Sequence, residues 1–130
     1  MALSIDEKRQ DVQTAFEAAY RLADEGAPSP LAVFEPSLWT LLLALGRALM
    51  GLWLARRAAR PRPARYEHQS RVYDIDGIAK GEVGTRFGKV AYEGPVGRLV
   101  GWRRAARDLP LDRELGLCGG FSLTVVTTLT

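Results

Sequence analysis

From Ser4 to about Glu25, Val12, Phe16, Ala19 and Ala23 recur at spacings of three and four, which predicts an amphipathic helix with those four residues on its inner side. Ser4 and Glu7 form a capping box and acidic residues crowd the first turn, whereas Gly26, Pro28 and Pro30 stop the helix. The pattern then thickens. From about Pro36 to Arg60, Leu38, Leu41, Leu42, Leu45, Leu49, Leu52 and Trp53 make one continuous apolar face, with Thr40, Arg47 and Gly51 opposite. After Pro61 and Pro63 the helical period gives way to β-forming residues. Val72, Tyr73 and Ile75 suggest a strand over Tyr66 to Asp76 that turns at Asp76-Gly77. Phe87, Val90 and Tyr92 suggest a second strand, loosened by a bulge at Gly88, with a turn at Glu93-Gly94-Pro95. Leu99, Val100 and Trp102 complete a hairpin with a strand over Arg98 to Trp102.

The expected fold is therefore α+β: two N-terminal helices, then a small antiparallel sheet of three or four strands, then an incomplete C-terminal element. Its segments divide into an amphipathic helix (1–30), a hydrophobic helix (31–60), a basic Pro-rich linker (61–65), an antiparallel β region (66–117) and the start of a further segment (118–130). At 130 residues this is one domain with a modest core.

Charge changes the picture along the chain rather than in total. Residues 1–30 hold three basic and six acidic groups, whereas residues 56–107 hold thirteen basic and five acidic groups. The cations gather at Arg56, Arg57, Arg60, Arg62 and Arg65, and again at Arg103, Arg104 and Arg107. Arginine presents a planar fork to phosphate oxygens, and a basic arm leaving a helix end can follow a groove, so these eight are the candidate nucleic-acid contacts. The alternative is a helix cap followed by a solubilising linker. No residue that reads bases stands out.

The apolar helix also raises a membrane reading. Leu38 to Ala55 spans eighteen residues, the short limit for crossing a bilayer. Arg47 lies near its middle and costs about 2.5–3.5 kcal/mol on the insertion scale, which favours a buried or oligomerising helix over insertion. Gly46 and Gly51 suit close packing between partners, and a homodimer through the Leu38 to Trp53 face is one such arrangement.

Catalytic chemistry finds little support. Gly84-Thr85-Arg86-Phe87-Gly88-Lys89 is one residue short of a phosphate-cradling loop and continues with Val90 where a magnesium-binding hydroxyl belongs. His68 is the single histidine and Cys118 the single cysteine, which excludes the usual zinc ligand sets and any intrachain disulfide. Asp74 and Asp76 share a strand face but lack a third ligand, and Cys118 has no base placed beside it. No metal, cofactor or small-molecule substrate is expected. The lone cysteine and an N-terminus without a basic-then-apolar leader point to the cytoplasm.

One family resemblance rests on order and spacing. Phe87, Gly88 and Val90 are followed by a turn, a second strand, and then Pro110, Leu111, Asp112, Leu115 and Leu117, with Phe121 and Ser122 opening a new segment. Upstream, Phe34-Glu35 begins the leucine-rich helix. This arrangement, from about Phe34 onward, resembles the N-terminal region of Kra-type insertion-sequence transposases. The resemblance implies DNA as partner and a chain lacking the acidic catalytic residues, which in that family lie beyond the matching region; no enzymatic activity is then expected. The stretch from Phe121 to Thr130 is apolar and β-branched without a cap, charge or turn, which suits a truncated segment. The other candidate is a protein-interaction or oligomerisation domain in which the arginines only solubilise.

Overall fold

The computed structural model describes residues 5–101 and 107–117, and its fold is α+β. Helix α1 (Ile5–Glu25) and helix α2 (Leu31–Ala58) form a hairpin. Strands β1 (Arg65–His68), β2 (Arg71–Thr85), β3 (Gly88–Leu99) and β4 (Arg107–Asp108) follow as an antiparallel meander in that order. A short helix, α3 (Pro110–Leu115), closes the described chain. The expected cap at Ser4, the aromatic Trp102, the cations Arg103 and Arg104, Cys118 and the segment 118–130 lie outside the described residues.

Of the four residues whose spacing suggested the inner side of α1, Val12 and Ala19 are covered and Phe16 and Ala23 are not. Ile5, Lys8, Val12, Ala15, Ala19 and Leu22 are covered, whereas Phe16 and Ala23 face outward. Phe16 is 50% exposed and stacks on Tyr20, centroid to centroid 6.2 Å. Small alanines let α1 approach α2 closely, and the ring is accommodated outside.

Helix α2 begins at Leu31 rather than near Pro36, because the Pro30 carbonyl accepts from the Val33 and Phe34 amides and supplies a first turn upstream. Pro36 thus sits inside the helix, where its missing N–H forfeits one bond to Ala32 on a solvent-exposed turn. The helix ends at Ala58, two residues short of Arg60, with Ala59 as its cap.

The most deeply buried residues of α2 are not those of the leucine face. Gly46, Gly51 and Leu54 are buried, and Arg47 donates from Nη1 to the Phe87 carbonyl at 2.7 Å. Gly46 is required there: a Cβ would lie 2.2 Å from Phe87 Cδ1. The two glycines thus serve packing within the chain, not between partners. The leucine face is covered only in part: Leu38, Leu41, Leu45 and Leu52 are half-buried, whereas Leu42 at 41%, Leu49 at 48% and Trp53 at 48% are exposed.

The sheet is longer and less interrupted than the turn residues implied. The expected strand over Tyr66 to Asp76 is a hairpin: Tyr66 pairs with Tyr73 around Gln69 and Ser70, both with positive φ. That primed turn matches strand twist, but it lacks the Asn-Gly or Asp-Gly signature that would have disclosed it. Asp76-Gly77 makes no reversal; it is the bulge between Ile75 and Ile78, and Gly77 at φ 96° supplies the conformation an L side chain resists.

The reversal between β2 and β3 comes instead at Thr85–Gly88. Thr85 Oγ1 donates to the Gly88 carbonyl and accepts from the Phe87 amide, holding a loop of two residues. Phe87 is in that loop, and Gly88 opens β3 rather than bulging it. Glu93, Gly94 and Pro95 run straight through β3, paired with Lys80, Ala79 and Ile78. Pro95 is tolerated because it lies beside the bulge and β4 reaches only Gly97 and Arg98, so no outer ladder bond is lost. The strand expected over Arg98 to Trp102 is the end of β3, which stops at Leu99.

Leu54 of α2 meets Val83 and Val90 at the centre of the core, and Met50, Tyr92, Leu115 and Leu117 pack around them. Two phenols tie the C-terminal piece to the sheet. Tyr92 donates to Asp112 Oδ1 and Tyr66 to Asp108 Oδ2, both at 2.6 Å. Leu111, 1% exposed, is thereby seated against Gly94.

Candidate nucleic-acid interface

The basic stretch after α2 is positioned by three elements. The last turn of α2 carries Arg56 and Arg57, the connection carries Arg60 and Arg62, and β1 opens with Arg65. Helix α3 then brings Glu114 and Arg113 alongside. Arg62 binds both Glu114 carboxylate oxygens, the Nη2–Oε2 distance being 3.0 Å, and also donates to the Arg57 carbonyl at 3.2 Å. A two-pronged arginine–carboxylate contact fixes orientation as well as charge. The expected basic arm is therefore a pinned connection.

The eight candidate cations meet different fates. Arg57 lies over the Trp53 ring at 5.3 Å and 3.9 Å from Glu114. Arg65 is spent on Asp74, with Nε–Oδ1 at 2.7 Å and Nη2–Oδ2 at 3.1 Å. Arg56, Arg60 and Arg107 are exposed and have no carboxylate partner among the described residues; Arg107 stands on β4 opposite Arg98. Arg103 and Arg104 fall outside the described residues. The two aspartates considered for a metal are each matched to an arginine, Asp74 to Arg65 and Asp76 to Arg98 at 2.8 Å. Among the described residues no three His, Cys, Asp or Glu side chains come together.

What the fold assembles instead is a cleft of about 430 Å³ into which four guanidinium-bearing residues, Arg57, Arg60, Arg62 and Arg113, contribute walls, with Glu114 the one carboxylate. Pro61, Pro63, Tyr66 and Pro110 complete the lining together with Ile75. The Nε atoms of Arg57 and Arg62 are buried there without a hydrogen-bond acceptor. The hydrogen bonds from Arg62, aided by the charges of Arg62, Arg57 and Arg60, hold the Glu114 carboxyl below its ordinary value against the cost of burial. Behind it, Arg113 donates to Asp108 at 2.7 and 2.9 Å. Burial opposes the charged form of Asp108, but the Tyr66 hydroxyl and Arg113 outweigh it and its pKa is lowered.

Arg113 was not singled out by charge patterning, because it stands alone between Asp112 and Glu114 and not in a basic run. Only the return of α3 to the end of α2 puts it in the cleft. A second, more apolar cavity of about 520 Å³ lies between α2 and the β2–β3 hairpin, walled largely by glycines and alanines such as Gly51, Ala55, Gly81 and Ala91.

No family model matches the chain, and neither a curated protein nor a solved structure does.

Proposed function

We propose that the chain is a transposase-derived, catalytically incomplete module that holds DNA by its phosphates at the cleft between α2 and α3. The observation that carries this is the convergence of four arginines on one cavity with a single carboxylate in its lining; of the four, Arg60 is exposed and has no carboxylate partner among the described residues. A phosphate oxygen at the cleft mouth would accept from the exposed Arg60 guanidinium, and Arg56 at the exposed end of α2 extends the contact along a backbone. The resemblance lends support in a specific way. Phe87, Gly88, Val90, Pro110, Leu111, Asp112, Leu115 and Leu117 are the residues that build the hairpin tip, the core and the seat of α3, and hence the cleft wall. They speak for a shared scaffold, and the arginines supply the chemistry.

The test is a titration of the purified chain into a labelled DNA duplex at two salt concentrations, beside Arg60→Ala. Binding that weakens steeply with salt, with the slope of log K against log salt reduced by about 0.9 in the variant, is the expected result. Absence of binding at low salt would sink the reading. A second reading, an interaction module whose arginines only solubilise, draws on the pairing of Arg57, Arg62 and Arg65 with carboxylates and predicts that absence.

A further inference from the structure

We infer that two copies of this chain associate through antiparallel pairing of their α2 helices. Along α2, Leu38, Leu42, Leu45, Leu49 and Leu52 recur at alternating spacings of four and three, the a and d positions of a heptad; Leu42 and Leu49 are exposed, and Leu38, Leu45 and Leu52 half-buried. This period suits a second helix rather than a sheet or an irregular ligand, because each knob then finds a hole between four residues of an identical face. The seam is open: Leu42 and Leu49 are 41% and 48% exposed, and Trp39 and Trp53 flank it at 61% and 48%. Arg47, the one charge in this part of the helix, is turned away to the Phe87 carbonyl. A seam from Leu38 to Leu52 is about 21 Å long, too short for an isolated coil, but α2 is already ordered by α1 and the sheet and needs no nucleation of its own.

Charge decides the direction. Continuing the heptad places Glu35 before the first leucine and Arg56 after the last, both at a positions. In a parallel pair, a faces a, so Glu35 would meet Glu35 of the second copy and Arg56 would meet Arg56. In an antiparallel pair, a faces d: Leu42 stacks on Leu45 of the second copy and Leu38 on its Leu49, which sets Glu35 opposite Leu52 and about one helical turn from Arg56 of that copy. A concavity of about 490 Å³ beside Glu35, Leu38, Trp39 and Leu42 lies level with Leu49, Leu52 and Trp53 of the second copy when Leu42 stacks on Leu45.

This inference is independent of the phosphate reading, and its test contains no DNA. Sedimentation velocity of the full chain across a range of concentrations should give a dimer. Leu42→Gln/Leu49→Gln should weaken it at least about tenfold with an unchanged far-UV spectrum, since neither side chain is in the core. Glu35→Arg and Arg56→Glu should each weaken it about threefold or more, and the double exchange should restore it. A monomer at every concentration, or a dimer indifferent to the leucines, would overturn the pairing. Indifference to the charge exchanges would overturn the antiparallel direction. Co-sedimentation of a monomeric chain with neutral phosphatidylcholine vesicles would assign the leucine face to a bilayer instead.

Discussion

Gly46→Ala tests how the helical hairpin is joined to the sheet, because two effects of similar size oppose one another. Replacing an interior helical glycine by alanine favours the helix by about 1 kcal/mol. The new Cβ, however, would stand 2.2 Å from Phe87 Cδ1 and 2.6 Å from Cγ and Cε1, so the ring must move. Overpacking of this kind costs about 1–3 kcal/mol, and Phe87, 40% exposed at a hairpin tip, can yield part of the way. Overpacking should therefore win, for a net loss of about 1 kcal/mol. In a Phe87→Ala background the obstacle is gone and the same substitution should stabilise by about 1 kcal/mol. The coupling between the two sites is then about 2 kcal/mol, well above what independent sites show. Urea unfolding of the four chains at one protein concentration, followed by far-UV circular dichroism, measures it. Equal stabilisation by Gly46→Ala in both backgrounds would refute the seating of Phe87 on α2, and with it the placement of the β2–β3 hairpin against the helix.

Other substitutions separate the roles of neighbouring groups. Tyr92→Phe removes the donor to Asp112 and should cost about 1–2 kcal/mol in urea unfolding, as expected for a hydrogen bond to a charged acceptor on a partly covered site. Burial and then the hydrogen bonds to Asp112 and Asp108 push the Tyr92 and Tyr66 phenols well above the ordinary tyrosine range. Both stay neutral in the folded chain while the unfolded chain ionises, so their contribution is whole below about pH 10 and falls as pH rises beyond it; phenolate absorbance should lag behind that of a denatured control. Arg62→Ala should lower stability by about 1–2 kcal/mol by freeing Glu114, whereas Arg60→Ala should leave the urea midpoint unchanged and reduce only DNA affinity. The lowered carboxyls of Glu114 and Asp108 contribute stability that is present above their unfolded values and lost as pH falls through the folded ones, so Arg62→Ala should move acid unfolding to higher pH.

Sequence alone carried the class of the fold and the identity of its strongest elements. Two helices followed by an antiparallel sheet follow from period and composition, since a run of leucines at helical spacing and a β-branched, aromatic stretch admit few other outcomes. Direction and partnership were not legible. The leucine face of α2 is the richest in apolar residues, yet Leu42, Leu49 and Trp53 on it stay exposed, while Gly46 and Gly51 are what admit Phe87, Val90 and Lys8 close to the helix. Local signals misplaced the turns for a related reason: Gly94-Pro95 has turn chemistry, but a strand beside a bulge with an open outer edge can absorb it, and Thr85–Gly88 closes the hairpin. The basic run was visible as charge, but whether each guanidinium is spent depends on carboxylates far along the chain. Glu114 takes Arg62 from fifty-two residues away, while Asp74 takes Arg65 across one hairpin. Composition fixes how many charges a chain carries; only packing decides which of them have already met their partners.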